Sequence, residues 1–171
     1  MKFHQFPELS CRGLRHGFTL REAHAPILED LAGSLQKQGL PPGIISAEQI
    51  HDDGIAKVGQ ADVGKVIPGV DALISRENGL TLVVRTADCG PVWLHCQKTG
   101  AIGLVHSGRK GTQQGIVPAT IRAMQKEFGA EPADMMGFLG PCIRPPHYEV
   151  DFALEILRQR PLPRRPAGPR W

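Results

Sequence analysis

The sequence lacks three features that would point away from an ordinary globular protein. No uninterrupted apolar run approaches the roughly 20 residues that a membrane-spanning helix needs, although 41% of the 171 residues are hydrophobic. Residues 1–18, MKFHQFPELSCRGLRHGF, contain no apolar signal core. The four cysteines are too few and too scattered for a disulfide framework. We therefore expect a cytoplasmic protein with reduced thiols and no membrane partner.

An excess of positive charge is also missing from most of the chain. The formal net charge is +3, but residues 158–171 hold five of the 20 basic residues and none of the 17 acidic ones. Residues 1–157 therefore carry 15 basic and 17 acidic side chains. This balance argues against a nucleic-acid-binding face on the folded part. We interpret residues 1–157 as a single domain and residues 158–171 as a basic, disordered tail rich in proline and arginine.

Hydrophobic periodicity predicts strands that alternate with a smaller number of helices. Helices are indicated in PILEDLAGSLQKQG and VDFALEIL, and by the helical spacing of Val117, Ile121, Met124 and Phe128. Strands are predicted in GIISAEQIHDDGIAKV, DALISRENGLTLVVR, PVWLHC, AIGLVH and MMGFLGPCI. The predicted fold class is α/β (α+β), a layered sandwich of mixed β-sheets flanked by helices.

Two histidines and one cysteine stand where a layered α/β fold brings functional residues together. His51 lies near the end of a predicted strand, Cys89 in the turn after LTLVV, and His106 at the end of AIGLVH. Side chains at strand ends can meet at one edge of a sheet. Two imidazoles and a thiolate suit a catalytic zinc ion with an open fourth position. On spacing alone, core packing is the commoner interpretation, because the separations match no short zinc signature.

Charged residues near this trio are candidates for supporting a site. Asp71 and Asp88 are candidate acceptors for the second ring nitrogen of a ligating histidine, in the second shell of a metal. Arg85, Arg109 and Lys110, together with backbone amides of the glycine-rich turn SGRKGT, are candidates for binding an anion such as phosphate. The alternatives are a turn-capping role for Asp71 and a strand-to-helix turn whose cations are solvated.

Several motifs, taken in order, carry a resemblance to a known family. EQIH, DALIS, RTADCGPV, GAIGLVHSGRKGT and FLGPCI followed by YEV succeed one another along the chain. The chain resembles the bacterial YfiH-type purine nucleoside phosphorylases, also called multicopper polyphenol oxidase or laccase-domain proteins, over roughly residues 13–157. The elements QxH, TADC and VHxGxxGT are specific when they occur together in this order.

The resemblance implies a fold, a metal and an activity. It implies a YfiH-like fold and a zinc ion held at the positions of His51, Cys89 and His106, which would also be the catalytic centre. It implies phosphorolysis of adenosine, inosine and S-methyl-5'-thioadenosine to the free base and a ribose 1-phosphate derivative, with adenosine deaminase as a side activity. Purine nucleoside and phosphate are then the expected partners.

Two departures from the family pattern bear on the pocket. The family usually has HAGW followed by a basic residue, whereas this chain has HSGRK, with Arg109 in place of an aromatic ring suited to stacking on a base. Family members usually continue beyond the point where this sequence stops. We therefore expect a chain that is C-terminally shortened relative to the family.

Three other functions stay open on the sequence. A His/His/Cys set with an axial methionine can hold copper, so a copper-dependent polyphenol oxidase is one alternative. Multicopper oxidation needs several copper centres, however, and the seven histidines include no clustered HxH pairs. A metal-free hydrolase would use Cys89 as nucleophile and His106 as base. An inactive, truncated remnant is the third alternative.

Overall fold

A computed structural model describes residues 3–11, 13–19, 28–39 and 41–149. The helix predicted in VDFALEIL and the predicted tail, residues 158–171, lie outside the described residues. The strands are β1 Phe3–His4, β2 Phe18–Thr19, β3 Gly43–Ala47, β4 Ile55–Lys57, β5 Val66–Ile67, β6 Ala72–Ser75, β7 Leu80–Val83, β8 Gly90–Cys96, β9 Ala101–Ser107 and β10 Met135–Leu139. The helices are α1 Leu28–Lys37, α2 Arg109–Gln114 and α3 Ile116–Phe128. None of the helices in these ranges is both long and apolar enough to cross a membrane.

Most of the strands belong to two sheets of different character. The larger sheet has the order β10-β8-β9-β6-β4 and is antiparallel except for the parallel pair β4 and β6. The smaller sheet has the order β5-β3-β7 and is parallel throughout. The strands β1 and β2 form a separate antiparallel pair. The mixed sheets and their flanking helices confirm the predicted α+β fold class.

The two faces of the larger sheet are covered by different elements. Helix α3 packs on one face, where Ile116, Met124 and Phe128 are buried. The period-two alternation of β6 sends Ala72 and Ile74 into this core and Leu73 into the core shared with β3. Helix α1 contacts β3. The result is a layered sandwich, and functional side chains can lie at the ends of its strands.

The turn at Asn78 and Gly79 connects the two sheets. Gly79 has a φ of 79°, the left-handed conformation that glycine tolerates best. Asn-Gly commonly links the two strands of a hairpin, but here β6 pairs with β4 and β9 while β7 pairs with β3. All four residues of β6 are buried. An interior position in the larger sheet covers both faces of this strand, whereas an isolated hairpin would not.

The segment SGRKGT, predicted as a turn, is helical from Arg109 onward. The carbonyl oxygen of Gly108 accepts the Thr112 N–H at 2.8 Å and the Thr112 hydroxyl at 2.7 Å, which starts helix α2. Gly115, with a φ of 82°, ends α2 and separates it from α3. The predicted passage from strand to helix is therefore present, but the turn is confined to Gly108, because these hydrogen bonds start the helix at Arg109.

A close backbone approach at Gly54 predicts a stability effect. The Gly54 carbonyl oxygen accepts the N–H groups of Asp71 and Ala72 at 2.9 and 3.1 Å, and a β-carbon at Gly54 would overlap the Gly69 carbonyl oxygen. We expect Gly54→Ala to lower the free energy of unfolding by about 1–3 kcal/mol, because backbone atoms must move apart. Thermal melts would check this. Gly137→Ala, whose β-carbon meets only an ordinary contact with Leu94, is the control.

Candidate metal centre

The structure brings together the two histidines and the cysteine that the sequence singled out. His51 follows β3 in a loop, Cys89 immediately precedes β8, and His106 lies near the end of β9. Pairing of β8 with β9 sets Gly90 opposite Ser107 and Pro91 opposite His106, so that Cys89 lies at the same end of this strand pair as His106. One possible ligand atom from each of the three residues lies within 4.8 Å of the other two.

A zinc ion bound by all three residues would draw these atoms closer together. Zinc bonds of about 2.0–2.3 Å to nitrogen and sulfur bring the ligand atoms to within about 3.3–3.6 Å of one another in tetrahedral geometry. The imidazole rings of His51 and His106 are perpendicular, with centroids 4.9 Å apart. Within the described ranges these three residues are the one group of His, Cys, Asp or Glu side chains arranged to hold a metal. The described ranges thus offer one ligand set, whereas multicopper oxidation needs several copper centres.

Asp71 binds both His106 and the backbone of the His51 loop. Its side chain is fully buried, and it accepts a 2.7 Å hydrogen bond at Oδ1 from Nδ1 of His106. The same carboxylate accepts the backbone N–H of His51 at Oδ1 and that of Asp52 at Oδ2, both at 3.0 Å. Because a carboxylate favours the proton on Nδ1, Nε2 of His106 is left as the nitrogen for a metal.

The His51 loop has an uncommon backbone conformation. His51 has a φ of 61°, which is rare for a residue with a side chain and indicates a conformation imposed by its surroundings. The Asp71 carboxylate binds the amide groups on both sides of the His51 Cα. The two N–H bonds therefore hold the loop in the conformation that directs the ring toward Cys89 and His106.

A side chain at Gly108 would crowd the three candidate ligands. A β-carbon at this position would lie 3.2 Å from Sγ of Cys89 and 3.6 Å from ring carbons of both His51 and His106. The φ and ψ of Gly108, −77° and 174°, are accessible to any residue, so the conformation itself does not require glycine. The 3.2 Å approach to the Cys89 sulfur is tight, whereas the two contacts with the histidine rings are ordinary, so a larger residue at this position would press mainly on Cys89.

We therefore expect Gly108→Ala to weaken metal binding with little loss of stability. The added methyl displaces the Cys89 sulfur by a few tenths of an ångström, and a roughly 10-fold rise in the zinc dissociation constant is expected by analogy with changes next to a metal ligand. Competition with a chromophoric chelator would measure it. The control is Gly33→Ala in α1, where an added β-carbon meets nothing within 4 Å. Equal zinc affinity of the two variants would contradict the close fit.

Electrostatics around Cys89 disfavour the metal-free hydrolase. Burial raises the pKa of the Cys89 thiol, and the negative charges of Asp88 and Asp71 raise it further. Nucleophilic cysteines have the opposite property, a pKa lowered by neighbouring positive charge. A metal cation next to the sulfur would favour the thiolate and offset the two carboxylates.

The centre opens into a cavity of about 350 Å³. Its wall combines the candidate ligands with charged side chains, and consists of Glu48, Gln49, His51, Arg85, Ala87, Asp88, Cys89 and His106. The guanidinium group of Arg85 donates a 3.2 Å hydrogen bond to the Glu48 carbonyl oxygen at this wall. The wall is therefore polar, and Arg85 is the cation in it that could attract an anion.

Comparison with known proteins assigns the family. A family model described as multi-copper polyphenol oxidoreductase laccase matches residues 9–161. The chain belongs to this laccase-domain family. The resemblance stated from the motifs is thereby confirmed.

Curated relatives of the laccase-domain chain carry a different name from the family model. A purine nucleoside phosphorylase of Streptomyces coelicolor is 39% identical over 110 residues, which cover 64% of this chain and 45% of the relative. One from Bacteroides thetaiotaomicron is 36% identical and covers 65% of this chain and 44% of its own length. The purine nucleoside phosphorylase YlmD of Geobacillus stearothermophilus is 33% identical over 73% of this chain and 50% of the relative. The chain spans about half the length of these relatives.

Solved structures agree with the laccase-domain assignment. The crystal structure of YlmD from Geobacillus stearothermophilus matches with a TM-score of 0.69 at 30% identity, over 74% of this chain and 50% of that one. The crystal structure of a hypothetical protein YfiH from Bacillus licheniformis matches with a TM-score of 0.71 at 26% identity. The match covers 80% of this chain and 55% of that one. The YfiH-like fold expected from the motifs is confirmed.

The remaining predicted site residues are placed at different distances from the centre. Arg85 and Asp88 line the cavity, and no hydrogen bond of the Asp88 carboxylate to a histidine occurs among the described residues. Lys110 instead pairs with Asp52 at 2.6 Å, which lowers the pKa of that carboxyl. Arg109 begins α2 and does not line the cavity. Phosphate binding by Arg109 and Lys110 stays a prediction.

Two residues at the centre were missed by reasoning from residue types. Gln49 lines the cavity and hydrogen-bonds to the Arg85 backbone, and a β-carbon at Gly108 would meet all three candidate ligands. Both lie inside motifs of the laccase-domain family, QIH and VHSGRKGT. The motifs were therefore the available signal, but an uncharged amide and a glycine carry no chemistry that would single them out.

Proposed function

We propose that the chain is a zinc-dependent purine nucleoside phosphorylase. The observation that carries the proposal is the His51, Cys89 and His106 ligand set, which opens onto a cavity lined by Arg85. The names of the curated relatives support the same activity. The proposed substrates are adenosine, inosine or S-methyl-5'-thioadenosine together with phosphate, and adenosine deaminase is the proposed side activity.

The residues of the cavity have distinct tasks in such a reaction. In phosphorolysis, the bond from the ribose carbon to the base nitrogen breaks, a bond from that carbon to a phosphate oxygen forms, and the base leaves with a proton. The Arg85 guanidinium is suited to bind and orient the phosphate, since its planar donors match phosphate oxygens. Asp71 holds the proton on Nδ1 of His106 and fixes the ring. When bound, zinc supplies Lewis-acid stabilisation of negative charge at the reacting centre.

Zinc is favoured over copper by the ligand set. Two nitrogens and one sulfur with a free coordination position are typical of catalytic zinc. Copper oxidation of phenols requires electron transfer among several metal centres, whereas the described part of the chain offers one group of ligands. Copper is the less favoured alternative metal, and polyphenol oxidation is the corresponding alternative activity.

Metal analysis combined with one assay tests the proposal. The purified chain is analysed for zinc and copper and then incubated with adenosine, with and without phosphate, before adenine and inosine are separated by chromatography. We expect one zinc per chain and adenine release that depends on phosphate, with a matching amount of ribose 1-phosphate. Inosine formed without phosphate would report the deaminase side activity.

Each other hypothesis has its own outcome in this experiment. Bound copper with oxygen consumption on a phenol would favour the oxidase. Turnover that survives chelation but is lost in Cys89→Ala would favour a cysteine hydrolase. Stoichiometric zinc without any turnover would contradict the phosphorylase and favour an inactive remnant.

A further inference from the structure

A side-chain bridge crosses the cavity wall between the loops that carry His51 and Cys89. Nε2 of Gln49 donates to the Arg85 carbonyl oxygen at 2.6 Å, and the Arg85 N–H donates back to Oε1 of Gln49 at 2.7 Å. The Gln49 amide thus pairs with the Arg85 backbone in the way that two strands pair across a sheet. The two residues are 36 positions apart in the sequence. The bridge extends the pairing of β3 with β7, which ends at Ser46 and Val83, into the loops that follow these strands.

The bridge lies close to two of the candidate ligands. Gln49 is two residues before His51, and Arg85 is four residues before Cys89. The backbone N–H of Gln49 donates to the Val70 carbonyl oxygen at 2.9 Å, next to Asp71. The side chain of Gln49 therefore joins the His51 loop to the Cys89 loop, and its backbone joins the His51 loop to the segment that carries the buried carboxylate.

The His51 loop needs such support because its backbone is strained. Gln49 and His51 both have positive φ values, 68° and 61°, and each such residue costs on the order of 1 kcal/mol or more. The His51 side chain is exposed, and its ring has no hydrogen bond in the described part of the chain. The position of this ring consequently depends on the backbone, which Asp71 holds on one side and the Gln49 bridge on the other.

We propose that Gln49 is a positioning residue for the metal centre. Its amide sets the separation of the His51 and Cys89 loops, and thereby the distance between two ligands, through the Arg85 backbone. The same bridge fixes the base of the Arg85 side chain at the cavity wall. This inference rests on the proposed metal centre and not on the proposed phosphorolysis.

Zinc affinity, measured beside stability, tests the proposal. Gln49→Met keeps the length of the side chain and removes both hydrogen bonds. We expect its zinc dissociation constant, from competition with a chromophoric chelator, to rise about 10-fold or more, as for other outer-shell partners. The matched control is Gln60→Met, because Gln60 is an exposed glutamine whose Nε2 donates to the Asn78 carbonyl oxygen at 2.8 Å, away from the cavity. Its dissociation constant should stay within about twofold of the wild-type value.

A structural role alone would give a different pattern. It would lower the melting temperatures of both metal-free variants while leaving their zinc dissociation constants equal, and that result would overturn the proposal. If Gln49→Met does not melt cooperatively, Gln49→Asn, whose shorter amide cannot make both bonds, is measured by the same criterion. A wild-type chain that binds no zinc would overturn the proposed metal centre and the positioning role together. Normal zinc affinity in Gln49→Met would overturn the positioning role only.

Discussion

Replacing Asp71 by asparagine is expected to lower both stability and metal affinity. The carboxylate accepts three hydrogen bonds inside the protein, and the amide group of asparagine turns one acceptor into a donor. At least one buried N–H of the His51 loop or of His106 then faces another donor. An unsatisfied buried donor costs about 1–3 kcal/mol, and the loss of the charged acceptor adds to this. We expect the free energy of unfolding to fall by about 3 kcal/mol.

The same substitution should change the metal centre without touching a metal ligand. Once Asp71 no longer fixes the proton on Nδ1, His106 can adopt the tautomer that protonates Nε2, the nitrogen left for zinc. The zinc dissociation constant should rise about 10- to 100-fold. Asp53→Asn is the matched control, because Asp53 is an exposed neighbour of the same loop. Thermal melts of metal-free protein and chelator competition would check the two effects, and equal values for Asp71→Asn and Asp53→Asn would contradict the role given to Asp71.

Cys89→Ser is expected to abolish stoichiometric zinc binding while the fold survives. Serine keeps the shape of the side chain, but its hydroxyl does not ionise at neutral pH and leaves two imidazoles as ligands. The loss of affinity should exceed the roughly 100-fold upper effect of outer-shell changes, since a ligand is removed outright. Cys89 is only partly buried, so the melting temperature of the metal-free variant should stay close to that of the wild type.

Metal content after dialysis and the cobalt spectrum would check this prediction. Cobalt bound by a thiolate gives a charge-transfer band, which should be present in the wild-type chain and absent in Cys89→Ser. Cys11→Ser is the control for the loss of a thiol, since Cys11 is another partly buried free cysteine and lies outside the group of candidate ligands. Zinc retained at wild-type affinity by Cys89→Ser would exclude the sulfur as a ligand.

The fold could largely be predicted because its elements follow local patterns. Strands β3, β8 and β9 and helix α3 appear where apolar periodicity placed them. The hydrophobic face of α3 was less well predicted. Thr120 is fully buried and satisfies its hydroxyl by donating to the Ile116 carbonyl oxygen at 2.8 Å. A polar residue in a core position is invisible to a pattern that counts apolar side chains.

The sequence by itself determined the residue types and the order of the motifs, and these were enough to single out His51, Cys89 and His106. Only the tertiary structure decided which groups surround them. Asp71 takes the position of acceptor for His106, while Asp88 faces the cavity and Lys110 pairs with Asp52. Asp71 and His106 are 35 positions apart in the sequence, and Asp52 and Lys110 are 58 positions apart. Their choice depends on the packing of two sheets and a helix, because hydrogen-bond partners so distant in sequence are selected by burial and register, which no local pattern encodes.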